Sequence, residues 1–507
     1  MIRPLIVAAT FALHIATAWR YGYFRDELYF IACSKHLAWG YVDQPPLVAI
    51  AALISAPFHY NLIALRLLPI LAATLAMVVA MQIAKDLGGG RFAQLLAAVA
   101  VALTPAYLLL GNTLTTTSFE SLSWTVVVWI VLRIARAQND DGNWWIALAA
   151  AIAFGLYGKY SMALLVAALV IGLLLTPERR TLATRWMPVS IAVALLLIGP
   201  NLAWQASHGW PFFEVLQGDA AHRHAFNTGL MLEYQSLIPN AIAFAGEQLL
   251  YTNPVAVPLW LSAVIAPFVW TELRHLRFIS IAYIVLFVAA VFLEAKGYYI
   301  IGIYGALLSI GSVVFERAAA WLRTTQFAAL VAVAILTLPL SLPVLPIHTF
   351  IQYTAVLGMT GRNGEPPRLV QPVYAEEFGW DRLARDVSKF YNVLAPGTRA
   401  LTGIYADTYA DAGAIDLFGP KYRLPPAISS QNTYWLWGPR GYDGKTLIAI
   451  GATRIDVLKR YYRSVQLIRT SKEPLKWAVE GPSPIYLCSD PILPFDQIWP
   501  HLRWYGA

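Results

Sequence analysis

The sequence predicts a polytopic α-helical membrane protein of about eleven transmembrane helices, residues 1–346, followed by a C-terminal extracytoplasmic α/β domain, residues 347–507. Three observations predict it. Of 507 residues, 58% are hydrophobic and only 13% charged, whereas a soluble domain carries about 25% charged residues; mean hydropathy is +0.55. Apolar runs close to the ~20 residues that cross a bilayer recur along the first two thirds of the chain. After residue 346 the material changes: 32 charged residues fall in the last 161 positions, against 34 in the first 346.

The apolar runs lie near 4–21, 62–84, 92–110, 119–137, 144–158, 160–176, 187–204, 254–271, 278–294, 299–315 and 326–346. The first has no small-residue cleavage site behind it and reads as a retained span. The fifth and sixth are short and meet at Gly158-Lys159-Tyr160, where one long helix is the competing reading. Charge decides between them. With eleven spans and the N-terminus inside, the inner links hold Arg3, Lys85, Arg91, Arg133, Arg136, Arg179, Arg180, Arg185, Arg274, Arg277, Arg317 and Arg323. The short outer links then hold only Lys159 and Lys296, as the positive-inside rule requires. This topology puts outside an outer loop of about 22–61, a second of about 205–253, and everything after 346. The formal charge of +8 is accounted for by these links, so a nucleic-acid partner is not called for. Two cysteines, Cys33 and Cys488, make neither a disulfide framework nor a thiolate zinc site.

The tail reads as a compact fold. "WDRLARDVSKFYNVL" has the spacing of an amphipathic helix, "KTLIAIGA" is a short buried strand, and "TRALTGIYADTYADAGAIDLFGPKYRLPPAIS" runs strand, turn, helix, turn. No internal repeat or low-complexity run interrupts the chain.

Ionisable groups at the hydrocarbon edge are costly and mark candidate sites. Asp26 and Glu27 follow the first span, Glu120 opens the fourth, Lys159 separates the fifth from the sixth, and Lys296 precedes the tenth. In the eleven-span topology all reach the outer face, where carboxylates serve proton abstraction and lysines an anionic group such as phosphate. Structural readings stand beside each. Asp26 caps the helix that follows; Glu27 pairs with Arg25; Glu120 complements a helix dipole; Lys159 and Lys296 snorkel; Arg66 snorkels or clamps an anion. His14 reads as an interhelical hydrogen-bonder. His36, His208, His222 and His224 fit no standard zinc spacing, so no metal site is assigned, although the acids leave room for a divalent cation.

The motifs carry a resemblance. "RDELYFIACSKHLAWGYVDQPPL" (25–47), "ALRLLP", "TTTSFESLSW", "GLYGKYSMALL", "PNLAWQASHGWP" and "KGYYIIGIYGALL" occur in the order seen in GT-C membrane glycosyltransferases of the protein O-mannosyltransferase, aminoarabinose-transferase and lipopolysaccharide galacturonosyltransferase-like type. The tail's "AGAIDLFGPKYRLPPAISSQNTYWLWGP" resembles the outer domain of a bacterial subgroup. The resemblance implies an inverting transfer of a sugar from a polyprenyl phosphate to a glycan, lipid or protein acceptor at the outer face of the bacterial plasma membrane. Asp26 falls on the candidate base, with Glu27 beside it, and Glu120 on a second acidic position that is usually Asp. Lys159 falls on a lipid-phosphate contact, and Lys296, Arg66 and Tyr298 complete a donor-phosphate set. Asp43 and Tyr160 are placed at the cleft; Asp43 caps a turn or lines that cleft. The family's two prolines after Lys296 are missing here, where Ile300 to Gly305 stand. No nucleotide-binding glycine pattern is present. A secondary transporter would share the spans and the charges but usually shows paired repeats. A non-catalytic envelope scaffold would give no reason for adjacent acids in the first loop.

Overall fold

The computed structural model describes residues 2–137, 141–225, 237–359, 372–451, 455–475 and 482–506, with the side chains of 2, 219–225, 237, 372 and 373 left out. His222 and His224 thus lie on the helix Pro211–Ala225 with their side chains left out. Contacts divide the chain into two units. One comprises Met1–Ala18, Leu65–Trp204 and Phe226–Val344; the other comprises Trp19–Ala64, Gln205–Ala225 and Leu345–Ala507. The division is not a single cut at residue 346: the first loop and the segment after Trp204 group with the tail.

Among the described residues, six helices are long and apolar enough to cross a membrane: Leu62–Asp86, Thr116–Arg136, Trp186–Ser207, Thr271–Phe292, Gly297–Glu316 and Ala320–Ser341. Three more apolar helices are shorter: Arg3–Thr17, Gly142–Gly158 and Met162–Leu174. The last two are separate helices that meet at Lys159, which removes the one-helix reading. Two expected spans are not straight. The run 92–110 is Arg91–Ala102 and Pro105–Gly111, bent by 62°; Pro105 lacks the N–H that would continue the helix, and Thr104 before it is extended. The run that begins at 254 is preceded by a further apolar helix, Leu237–Thr252, and the pair is bent by 99° at Asn253, whose φ is 74°. That helix lies in what the sequence suggested was outer loop.

Glycines let these helices approach closely. A Cβ on Gly311 would lie 2.0 Å from the Leu259 carbonyl oxygen, and one on Gly172 2.1 Å from that of Phe278. Neither position tolerates a side chain, as expected where small residues set membrane-helix packing. One end of the helix Glu120–Arg136 is clasped by charge: Arg133 donates from Nε (2.8 Å) and Nη2 (2.9 Å) to the Asp86 carboxylate, which also accepts from Trp129 Nε1 (2.8 Å). Glu120 lies at the helix's other end, about 20 Å away at 1.5 Å per residue.

Among the described residues of the second unit, five strands form one sheet: β1 (Thr402–Ala406), β2 (Ala427–Ser429), β3 (Thr446–Ile450), β4 (Tyr462–Ser471) and β5 (Ser483–Pro491), in the order β2-β1-β3-β5-β4. β1 is parallel to β2 and β3; β5 is antiparallel to β3 and β4. The expected strand in "KTLIAIGA" is β3, the expected strand–helix run is β1 with Tyr409–Phe418, and the amphipathic helix is Trp380–Tyr391. The first loop opens with the helix Arg25–Lys35. That helix ends at Lys35 with His36 as its C-cap, well before Pro45 and Pro46. They precede Leu47–Ile54, with Pro46 as its N-cap.

Candidate active site

Each unit gathers its own cluster of the residues singled out in the sequence. In the membrane unit the cluster centres on Lys159, the C-cap of Gly142–Gly158. Its ammonium lies 3.6 Å from Glu120 Oε2 and donates to Thr117 Oγ1 at 3.0 Å. It also sits over two rings, 5.1 Å from the Tyr298 centroid and 4.5 Å from that of Tyr299. Glu120 is 3% exposed and accepts from Ser161 Oγ as well. Lys296 is near enough for its charge to act on Lys159. Two lysines, one carboxylate and two tyrosines therefore share one locality, with a net positive charge. A locality like that suits an oxyanion.

The absence of the two prolines after Lys296 has a structural answer. Residues Gly297–Ile303 form a 3₁₀-helix whose backbone is held from outside. Tyr107 Oη donates to Ile301 O (2.9 Å) and accepts from Gly305 N–H (2.9 Å). Gln248 Nε2 donates to Gly297 O (2.9 Å), and its Oε1 accepts from Tyr304 Oη (3.1 Å).

Arg66 does not snorkel: it is wholly buried, with Nη1 donating to Ala18 O at 3.0 Å. Tyr160 Oη donates to the buried Asn201 at 2.9 Å.

The second unit holds the loop acids, and the two neighbours in sequence part company. Glu27 is 0% exposed; its Oε2 accepts from Phe24 N–H at 2.9 Å, the return bond of a helix N-terminus. Its burial takes it away from the surface, where the sequence suggested a pairing with Arg25. Asp26 keeps 30% of its side-chain surface. It accepts from Tyr409 Oη at 2.8 Å and lies 3.7 Å from Arg25 Nε. Arg25 Nη2 in turn donates to the same phenol oxygen at 3.0 Å.

Asp43 is also built in. Its Oδ1 accepts from Tyr29 Oη at 2.8 Å and its Oδ2 from Asn432 Nδ2 at 3.1 Å. Tyr29 is hydrogen-bonded to Thr433 Oγ1 at 2.7 Å, and Thr433 Oγ1 accepts from Val42 N–H at 3.1 Å. Burial pushes the Asp43 carboxyl up to about 7, with the nearby Asp26 charge adding to it and the Tyr29 and Asn432 hydrogen bonds opposing it. Tyr29 and Tyr409 stack at 4.7 Å, which ties the Asp43 locus to the Asp26 locus. Tyr29, Tyr409, Asn432 and Thr433 were not singled out in the sequence. The loop motif quoted for the resemblance contains Tyr29 and the tail motif contains Asn432 and Thr433, while Tyr409 lies just before the tail motif. Among the described residues, no group of three or more His, Cys, Asp or Glu side chains is placed to hold a metal ion.

Comparison with known proteins follows this geometry. The family described as dolichyl-phosphate-mannose-protein mannosyltransferase matches residues 43–204. No curated protein matches the sequence. Two crystal structures of ArnT from Cupriavidus metallidurans share the fold over 96% of this chain and 97% of that one. The apo structure has a TM-score of 0.63 at 11% identity, and the structure bound to undecaprenyl phosphate 0.64 at 12%. The chain is a multi-pass membrane protein with a C-terminal sheet domain, and it shares the fold of these ArnT structures.

Proposed function

We propose that this protein transfers a sugar from a polyprenyl-phosphate donor to a hydroxyl or amine of an envelope acceptor — glycolipid, polysaccharide or protein — at the outer face of the bacterial plasma membrane. The observation that carries the reading is the difference between two adjacent acids. Glu27 is consumed by a helix cap, while Asp26 is accessible and oriented by a phenol and a guanidinium, as a general base requires. The match to a polyprenyl-phosphate-dependent mannosyltransferase family supports the donor class, as does a relative in fold that binds undecaprenyl phosphate.

In the reaction the acceptor atom attacks the anomeric carbon from the face opposite the phosphate. The carbon–oxygen bond to phosphate breaks, the configuration inverts, and Asp26 takes the acceptor's proton. The polyprenyl phosphate leaves with the electron pair. Lys159 and Lys296, with Tyr298 beside them, offset the charge that grows on it. Glu120 holds Lys159 in place. Arg66 supports from the interior, fixing the end of the first span rather than touching the lipid. Asp43 and Tyr160 shape the surroundings. The N-terminus is then cytoplasmic and the C-terminal domain periplasmic.

The test is transfer in proteoliposomes from a panel of radiolabelled undecaprenyl-phosphate sugars: mannose, galacturonic acid and aminoarabinose. Labelled product and free undecaprenyl phosphate are expected with at least one donor, and neither with Asp26→Asn. The two broken helices favour one competitor, since secondary transporters build their sites on such breaks. Uptake of label into vesicles without lipid turnover would replace the transferase reading with that one.

A further inference from the structure

Asp26 and Tyr409 are separated by most of the chain, yet lie 2.8 Å apart. Tyr409 begins the helix Tyr409–Phe418 that follows β1, and Asn432 and Thr433 follow β2. β1 and β2 are neighbours and parallel, so all three residues come from the carboxyl edge of the parallel part of the sheet. That edge is where open α/β folds place their working residues. Gly413 makes the approach possible: a Cβ there would lie 2.8 Å from the Leu28 carbonyl carbon and oxygen, so the tail helix and the loop helix Arg25–Lys35 pack backbone to backbone.

We propose that Tyr409 is a positioning residue for Asp26: the C-terminal domain supplies the hydroxyl that aims this carboxylate and favours its ionised form. The proposal rests on the reading of Asp26 as the base. Four features support it. The phenol accepts from Arg25 Nη2 and donates to Asp26 Oδ1, and an accepted hydrogen bond strengthens the one donated. Its ring is fixed by stacking on Tyr29, and its backbone N–H by Gln431 Oε1 at 2.7 Å. Burial holds the phenol well above its ordinary value, with the Arg25 charge pulling the other way, so it remains a donor throughout the working range. The charges that face Asp26 within this unit are divided. Arg25 favours its ionisation, Glu376 draws on Arg25 at 3.4 Å, and Asp43 repels it.

The experiment uses the full-length protein and Tyr409→Phe, which keeps the ring and its stacking. With whichever donor of the panel turns over, kcat should fall about tenfold, the scale of one charge-assisted hydrogen bond. KM for the donor should stay unchanged, and the acid limb of the kcat/KM profile should move to higher pH. A second readout needs no turnover. Carbodiimides modify protonated carboxyls, so labelling of Asp26, followed against pH by peptide mass spectrometry, should have a higher midpoint in Tyr409→Phe. Arg25→Gln should move the midpoint the same way. An unchanged midpoint in both variants would overturn the proposal and leave Tyr409 a packing residue. Normal transfer by Asp26→Asn would overturn the base assignment instead, and the labelling separates the two results.

Discussion

Removing the Lys159 ammonium should have two consequences of different kinds, and the structure says how to separate them. The first is binding. A contact from this ammonium to an ionised phosphate oxygen is charge-assisted and contributes about 1.5–3 kcal/mol. Lys159→Ala should therefore weaken undecaprenyl phosphate binding by roughly 10- to 150-fold, each 1.4 kcal/mol being tenfold. The second is stability. Glu120 lies 3.6 Å away and is 3% exposed, so the substitution strands a buried carboxylate. Breaking a buried pair from one side costs about 3–5 kcal/mol, enough to lower the yield of folded protein and to mimic a binding defect. The double variant Lys159→Met with Glu120→Gln removes both charges at nearly constant volume and should recover most of the melting temperature. It should not recover binding. The assay is titration of detergent-solubilised protein with undecaprenyl phosphate, alongside thermal melts of the wild type and both variants. If the double variant binds the lipid as tightly as the wild type, Lys159 is only the counter-ion of Glu120. The phosphate site must then be sought at Lys296.

Asp26→Asn should lower transfer at least 100-fold, the low end of general-base contributions, with melting temperature and lipid binding close to wild type; turnover of the purified variant checks it. Asp43 should make stability fall as pH rises. Its folded-state value is raised to about 7 from 3.8, so the stability it contributes is full below the unfolded value and is lost as pH climbs through about 7. At 1.36 kcal/mol per pH unit, the wild type should lose about 2–3 kcal/mol between pH 5 and 8, and melting curves of Asp43→Asn should be flatter over that window. For topology, an impermeant maleimide applied to intact cells should label Lys445→Cys and should not label Arg180→Cys until the membrane is opened. Both positions are exposed, and the native Cys33 and Cys488 are buried, so background is low.

The membrane part was legible because its physics is one-dimensional. Apolar length and the position of Lys and Arg fix where helices lie, and Lys159 was found between two of them on those grounds alone. The bends were harder. Pro105 and Asn253 sit inside runs whose hydropathy is continuous, and hydropathy averages over the residue that breaks the hydrogen-bond ladder. The two strands β4 and β5 were missed for a related reason. Their faces are half exposed, with polar residues such as Arg463, Arg469 and Asp490 among the apolar ones, so no clean two-residue alternation shows.

The loop acids show where sequence reasoning stops in principle. Adjacent carboxylates are alike in composition, and only the resemblance put the candidate base at Asp26 with Glu27 beside it. What separates them is rotation along a helix: one residue is 100° from the next at 3.6 residues per turn. A one-position step turns one acid inward to cap the helix's own first turn and the other outward. That rotation could have been guessed from the cap pattern, because an acid three places after Phe24 reaches back to its N–H. The partner of Asp26 could not. Tyr409 is one of 26 tyrosines, and nothing in its own neighbourhood says that a strand 380 residues downstream ends beside the first loop. Only the pairing of β1 with β2 and the close packing at Gly413 bring it there. A site made of a loop and a distant sheet edge is therefore half readable: the loop announces its acid through composition, and the sheet edge contributes its hydroxyl through topology.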